Sequence, residues 1–148
     1  MESDERKYYP VNFHFELNYN GEKIAFQEVS GISKEIKVEE FGSGGENRFK
    51  YRLPSMSSSQ NLILKRAIIP GGSKLNTWVS RTLNKGLSKP IVTAPILVSL
   101  LNKKGKSQMS WTFYSAYPIK YSVSDLKSDG NEVVIESIEL AYTYFEKV

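Results

Sequence analysis

The chain has 148 residues, of which 40% are hydrophobic and 12% aromatic, so it is long enough to bury the core of one domain. It contains no cysteine and a single histidine, which excludes disulfides, thiolate chemistry and multi-histidine metal sites. Twenty lysines and arginines against sixteen acids give a formal charge of +4. No apolar run approaches the roughly 18 residues of a membrane span, and the charged first six residues lack a secretory signal, so we expect synthesis in the cytosol.

The charges are distributed unevenly along the chain. Residues 47–124 contain thirteen lysines and arginines and no aspartate or glutamate, whereas all sixteen acids lie in the two terminal parts. If the terminal parts lie together in space, the subunit has an acidic side and a basic side, which favours head-to-tail self-association or an anionic partner. The alternative is a basic protein whose charges are solvated over all its faces.

The first elements in chain order are predicted strands. Residues 11–17 alternate apolar and polar side chains, which is typical of a strand with one buried face. Asn20-Gly21 predicts a hairpin turn into a return strand over residues 23–29. Gly31 allows a bend or a positive φ before the next strand.

A long hairpin is predicted next. Residues 32–41 form its first strand, residues 42–47 form a glycine-rich loop, and alternation resumes over residues 49–53. The loop follows a strand and is rich in glycine, as a phosphate-binding loop is, but it leads into another strand. Because no helix N-terminus follows it to bind an anion, we interpret it as a hairpin tip.

One helix is predicted. A short strand over residues 62–64 ends at Lys65-Arg66, and the period of the apolar residues then changes. Residues 74–85 have helical spacing, with Ser73 as the N-cap and Gly86 just beyond the C-terminus. The apolar residues at this spacing are Leu75, Trp78, Val79 and Leu83.

The remaining elements read as strands over residues 91–101, 108–115 and 133–145, joined by turns at 102–106 and 128–131. Short strands with regular turn signals and one helix predict a mainly β fold, an antiparallel β-sandwich or barrel with one flanking α-helix. We expect one domain over residues 1–148 that begins with a short charged arm, residues 1–8.

No catalytic constellation is evident. His14 lies on the polar face of the first strand beside Glu16, and no nucleophile elbow accompanies it. The segment at Gly72 opens a helix without P-loop spacing, and Glu39-Glu40 are neighbours on a strand and therefore point to opposite faces. We expect neither an enzyme nor a metal or cofactor site.

A basic β-barrel that binds nucleic acid is an alternative from a different class. Tyr114, Tyr117 and Tyr121 are candidates for stacking on bases. Residues 103–106 form the only local cluster of lysines, and such a cluster also protects a hairpin from aggregation.

The order of several motifs resembles that of the tail tube proteins of contractile phages and of the inner tube proteins of phage-tail-like contractile injection systems. The resemblance covers residues 8–144. The motifs are Val29-Ser30-Gly31-Ile32, Glu39-Glu40-Phe41, the segment from Leu62 to Arg66, the helix with Leu75 and Trp78, Trp111-Thr112-Phe113, the segment from Ala116 to Lys120, and the strand from Glu136 to Leu140.

This resemblance implies a structural subunit that forms hexameric rings stacked into a hollow tube. The implied partners are further copies of the chain, sheath and baseplate proteins, and a cargo of DNA or effector proteins in the lumen, with no membrane. The implied location is a virion tail or an injection particle. A tube-initiating or tube-capping paralogue with the same fold is the alternative within this class.

Two sets of residues are candidate assembly sites. Under this resemblance, the long hairpin is expected to contact the next ring. The uneven charge along the chain, and not the resemblance, leads us to expect that a basic face meets acidic terminal strands of a neighbouring subunit. The hairpin residues are Glu39, Glu40, Phe41, Gly42, Gly44, Gly45, Glu46 and Arg48, and the basic-face residues are Lys65, Arg66, Lys103, Lys104 and Lys106.

Overall fold

The computed structural model describes residues 13–42, 50–55, 60–68, 71–126, 128, 130 and 133–148. Within these ranges the chain is mainly β, as predicted, with ten strands and one helix. The strands are β1 (His14–Tyr19), β2 (Glu22–Phe26), β3 (Glu28–Ser30), β4 (Lys37–Gly42), β5 (Lys50–Ser55), β6 (Leu62–Ala67), β7 (Ala94–Leu101), β8 (Ser107–Val123), β9 (Ile135–Ala141) and β10 (Tyr144–Lys147). The helix, α1, spans Lys74–Lys85, and a 3₁₀ turn at Gly86–Ser88 follows it.

Eight strands form one antiparallel sheet in the order β2-β1-β7-β8-β9-β6-β3, and β10 pairs with β8. Strand β8 divides this sheet into two layers. Residues 107–116 of β8 pair with β7 and β10, whereas residues 117–123 pair with β9. We call β2, β1, β7, β10 and the first part of β8 the five-stranded layer, and β9, β6, β3 and the second part of β8 the four-stranded layer.

The two layers enclose the hydrophobic core. Leu17, Phe26 and Phe113 come from the five-stranded layer, and Leu64 and Ile138 come from the four-stranded layer. Every second residue of β6 and of β9 is buried, as the period of a strand requires. The core therefore fixes which side of the four-stranded layer faces outward.

The helix is confirmed at its predicted bounds. Ser73 caps it, because its Oγ accepts a hydrogen bond from the Asn76 amide at 3.0 Å. Trp78 packs its ring on Tyr19 at 4.8 Å between centroids, and its Nε1 donates to the Val92 carbonyl at 2.9 Å. The helix also packs against β8. Leu83, expected on the apolar face, is 36% exposed.

Several predicted strand bounds were wrong. The return strand divides at Gln27, whose amide donates to the Lys65 carbonyl, because the chain leaves β1 there and joins β6. The next strand begins at Lys37 and not at Ile32, and β7 begins at Ala94. Strand β8 continues well beyond its predicted end at Ser115, where a positive φ of 54° bends it from one layer into the other.

The bend predicted at Gly31 is present, with a φ of +94°. A Cβ added to Gly31 would lie 1.9 Å from the Asn61 carbonyl oxygen, whereas a Cβ on Gly21, at φ +81°, would have no heavy atom within 4 Å. Both glycines are in the left-handed region, so alanine strains the backbone at either position.

Gly31→Ala is therefore expected to lower the free energy of unfolding by about 1–3 kcal/mol more than Gly21→Ala does, because the added methyl group overpacks against backbone. Chemical denaturation of the two variants measures this difference. Equal losses for the two alanines would contradict the close approach at Gly31.

Candidate functional site

The predicted long hairpin is present as β4 and β5. The two strands pair in register, with Glu40 opposite Arg52, Phe41 opposite Tyr51 and Gly42 opposite Lys50. In the part of the chain that the structure describes, they form a two-stranded sheet that pairs with no other strand. A hairpin that stands apart from the main sheet is suited to reach a neighbouring molecule.

The structure places the candidate hairpin residues in two groups. Glu39, Glu40, Phe41 and Gly42 lie on β4. Gly44, Gly45, Glu46 and Arg48 lie outside the described residues.

The four-stranded layer has two open edges. Strand β3 pairs only with β6, and residues 117–123 of β8 pair only with β9, among the strands that the structure describes. The Ser124 amide donates to the Ile135 carbonyl at 2.8 Å. Because an antiparallel strand directs alternate residues to either side, the amides of Val123 and Tyr121 point away from β9. With respect to the strands that the structure describes, the β8 edge thus presents unpaired backbone donors.

The side chains along this β8 edge are unusual for an unprotected edge. Ile119, Tyr121 and Val123 are 38%, 40% and 36% exposed. Soluble proteins usually protect an open edge with charges, prolines or very short strands. Lys120 is the one charged residue of this stretch, and the bulge at Ile119 follows Pro118. An open edge with exposed apolar residues is a candidate surface for pairing with another strand.

The candidate basic face does not form one surface. Lys65 is half-buried on β6, whereas Lys103, Lys104 and Lys106 are exposed in the turn between β7 and β8. Arg66 is 8% exposed, because alternation along β6 turns it inward beside Leu64. The prediction that Arg66 belongs to an exposed basic face was therefore wrong.

Arg66 forms a buried ion pair that the sequence reasoning missed. Its Nε donates to Oε1 of Glu136, which is 2% exposed on β9. Tyr121 Oη donates to the second carboxylate oxygen, Oε2, at 2.8 Å. The Arg66 guanidinium also lies over the Phe26 ring at 5.3 Å. Burial raises the pKa of the Tyr121 hydroxyl, and its hydrogen bond to Glu136 acts in the same direction.

This cluster connects the interior to the open edge. Tyr121 belongs to the β8 edge, while Glu136 and Arg66 belong to the two central strands of the layer. The ion pair thus joins β6 to β9, and the Tyr121 hydrogen bond joins the edge of β8 to the same carboxylate.

The outward face of the four-stranded layer carries two rows of residues that cross all four strands. The first row is Glu28, Lys65, Ser137 and Ser122, and the second row is Ser30, Ile63, Glu139 and Lys120. We call these eight residues the paired-charge face. Seven of the eight line one shallow groove of about 560 Å³.

The expected separation into an acidic side and a basic side is not found in this layer. The acidic strands β3 and β9 alternate with the basic strands β6 and β8, so Glu28 lies opposite Lys65 and Glu139 lies opposite Lys120. Opposite charges at directly paired positions of a sheet attract one another. Charges that are separated along the chain are thus interleaved in space.

A second concavity lies between α1 and the β1–β2 turn. It has a volume of about 670 Å³, with Tyr19 and Trp78 among the residues that line it. Basic side chains also line it, from Lys74, Arg81, Lys85 and Lys89. Glu22 is the single acid among the described residues of its wall, and its carboxylate accepts a hydrogen bond from the Lys74 amide at 3.0 Å.

The other candidate chemistries gain no support from the geometry. His14 is exposed on β1. Within the described ranges, no three histidine, aspartate or glutamate side chains are grouped so that they would hold a metal ion. No helix in these ranges is long and apolar enough to cross a bilayer.

The three tyrosines considered for nucleic-acid binding do not form a common platform. Tyr114 stacks on Tyr144 at 4.6 Å, Tyr117 is half-buried, and Tyr121 is bonded to Glu136. This arrangement does not favour the nucleic-acid alternative, because base stacking needs free aromatic faces side by side.

Comparison with known proteins gives one family. The model of the family described as T4-like virus tail tube protein gp19 matches residues 11–146. No curated protein matches the chain.

Solved structures share the fold over most of their length. A chain of the anti-feeding prophage (AFP) baseplate is 27% identical, with a TM-score of 0.75 over 92% of this chain and 91% of that one. A chain of the PVC sheath-tube complex, from an extracellular contractile injection system in the extended state, is 24% identical, with a TM-score of 0.80 over 100% and 97%. Hcp1 from Flavobacterium johnsoniae is 12% identical, with a TM-score of 0.57 over 90% and 94%.

Proposed function

The chain belongs to the T4-like virus tail tube protein gp19 family, a family of structural tube proteins, and on that premise we propose how its copies assemble. Six copies close into a ring, and rings stack into a hollow tube inside a sheath. The proposal includes no catalytic step. The single observation that carries it is the pair of open edges on the four-stranded layer.

The two open edges suit head-to-tail pairing between copies. Strand β3 is antiparallel to β6, β6 to β9, and β9 to β8, so the two edge strands run in opposite directions. The β8 edge of one copy therefore meets the β3 edge of the next as an antiparallel pair. Each contact uses two different surfaces, which is the heterologous type of contact that forms closed rings.

This pairing gives the ring a continuous β wall. Six copies of a four-stranded layer contribute about 24 strands, and strands spaced roughly 4.8 Å apart make a circumference of about 115 Å. The bore is then about 37 Å across between backbones, before side chains are counted. Such a wall leaves no open edge within the ring, which accounts for the exposed apolar residues along β8.

The sheath and the baseplate are the proposed partners outside the ring. The similar structures from the PVC sheath-tube complex and the AFP baseplate support this proposal by their fold. The particle is a contractile tail or injection system, and the tube is its conduit.

Stacking between rings is assigned to the β4–β5 hairpin. Deleting residues 42–46 is expected to leave folded subunits and rings but to abolish tubes, because the hairpin stands apart from the ring-forming layer. Electron microscopy of the variant measures the number of rings per particle. Tubes of normal length would overturn this role, and a variant shortened in the exposed turn at Lys103-Lys104 is the matched control.

Electron microscopy of the purified protein, over a range of protein and salt concentrations, tests the whole proposal. We expect rings with a central hole at low concentration and stacked tubes at high concentration. A strictly monomeric protein under all conditions, also when baseplate components are added as a template, would overturn it.

A subunit of a terminal ring is the second candidate, because one of the similar structures is a baseplate chain. The same micrographs separate the two candidates. A tube subunit extends rings without limit, whereas a terminal-ring subunit stops at one ring.

A further inference from the structure

The paired-charge face is the surface of the four-stranded layer that points away from the core. Among the eight residues of its two rows, two carry positive charge and two carry negative charge. Each row holds one lysine and one glutamate at directly paired positions, and the other four residues are three serines and one isoleucine. The net charge of each row is therefore zero.

We propose that this face is the wall of the lumen, and that its charge balance makes the conduit indifferent to the sign of the charge on its passenger. This inference rests on the ring proposed above. A passenger that carries both signs in varying proportion, that is, a polypeptide, is the class that such a wall fits.

The position of the face follows from the ring. When the β8 edge pairs with the β3 edge of the next copy, the four-stranded layers become one closed wall. One side of this wall is covered by the core of each subunit, with the five-stranded layer and the helix beyond it. In the described ranges no element covers the other side, which is the paired-charge face, so this side lines the bore.

The electrostatic consequence follows from the spacing of the charges. Lys65 and Glu28 are cross-strand neighbours, as are Lys120 and Glu139, so their fields cancel beyond the spacing of the strands. In contrast, a wall with two unpaired lysines per copy would bind phosphates along the whole tube and would hold a nucleic acid in a salt-dependent way. The serines add hydroxyl groups without charge.

Substitutions that remove charge test the balance on assembled tubes. Glu28→Gln with Glu139→Gln leaves two positive charges per copy, and Lys65→Gln with Lys120→Gln leaves two negative charges. Glu35→Gln with Glu146→Gln makes the same change of charge as the first pair, at exposed positions outside the face. Tubes are formed in the presence of a fluorescent short DNA duplex, a glutamate-rich peptide or a lysine-rich peptide.

We measure the amount of fluorescent probe that sediments with the tubes and is protected from added nuclease or protease. Wild-type tubes are expected to retain the same low background level of each of the three probes. The Glu28 and Glu139 double variant is expected to retain DNA and the glutamate-rich peptide on the order of tenfold more than wild type at low salt, with loss of retention at high salt. The lysine double variant is expected to retain only the lysine-rich peptide.

Three outcomes would overturn the inference. Wild-type tubes that retain one sign of probe over the other contradict the balance. If the DNA retained by the Glu28 and Glu139 variant stays accessible to nuclease, the face lies outside the lumen. The same conclusion follows if the control variant protects as much DNA as this variant does. Electron microscopy of each sample reports tube formation separately. Wild-type protein that forms no tubes contradicts the proposed ring, whereas variant tubes that show no selectivity between probes contradict the placement of this face in the lumen.

Discussion

Val123→Pro is expected to give a folded subunit that forms no rings. The amide of Val123 points away from β9 toward the open edge, so proline removes a donor that the subunit itself does not use. Proline is tolerated at edge positions of this kind, because no hydrogen bond within the subunit is lost. The seam between copies would lose one backbone hydrogen bond and would face the proline ring in its place, at every contact around the ring.

Val123→Ala is the matched control for this variant. Alanine removes most of the same side chain but keeps the amide, so rings are expected to form at somewhat higher protein concentration. Light scattering with sizing columns gives the oligomeric state, and thermal melting of the monomer confirms the fold. Rings of Val123→Pro at wild-type concentration would show that β8 does not form the seam.

Arg66→Ala is expected to lower the free energy of unfolding by about 3–5 kcal/mol, because it leaves the Glu136 carboxylate buried without its partner. For a domain of this size, each kcal/mol lowers the melting temperature by about 2–4 °C. A fall in melting temperature of roughly 10 °C is therefore the expected reading in a thermal scan.

Two further variants separate the ion pair from its surroundings. Tyr121→Phe removes only the hydrogen bond to Oε2 and is expected to cost about 1.5–3 kcal/mol. Replacing both charged partners, by Arg66→Met with Glu136→Leu, leaves no unpaired charge and is expected to recover most of the stability. If the melting temperature of Arg66→Ala lies within about a degree of wild type, Arg66 does not stabilise the buried Glu136 carboxylate.

The parts of the fold that depend on local chemistry were predictable from the sequence. The helix from Lys74 to Lys85 follows from apolar spacing and from the Ser73 cap, and the first hairpin follows from Asn20-Gly21. Long-range events were not predictable in this way. Strand β8 continues through Pro118 because it changes partner from β7 to β9. The local sequence around Ser115 does not indicate which strands will be its neighbours.

The candidate site shows the same division. The β4–β5 hairpin was predictable from alternation on both sides of a glycine-rich loop. The Arg66–Glu136 pair was not, because its partners are 70 positions apart and meet only through the pairing of β6 with β9. One signal was present: Arg66 follows Leu62 and Leu64 at the inward period of the strand, and Glu136 precedes Ile138 and Leu140 in the same way.

In the proposed ring, the four strands that each copy contributes have a geometric consequence for the number of copies. Because each copy adds an even number of alternating strands, a ring of any size keeps every neighbour antiparallel. The direction of the strands therefore does not determine how many copies form the ring. The count is set by the angle through which each copy turns the wall, about 60° for six copies. A substitution that changes the curvature of the layer would shift the ring to five or seven members without opening it. The number of copies in a ring therefore depends on the curvature of the sheet and not on strand pairing.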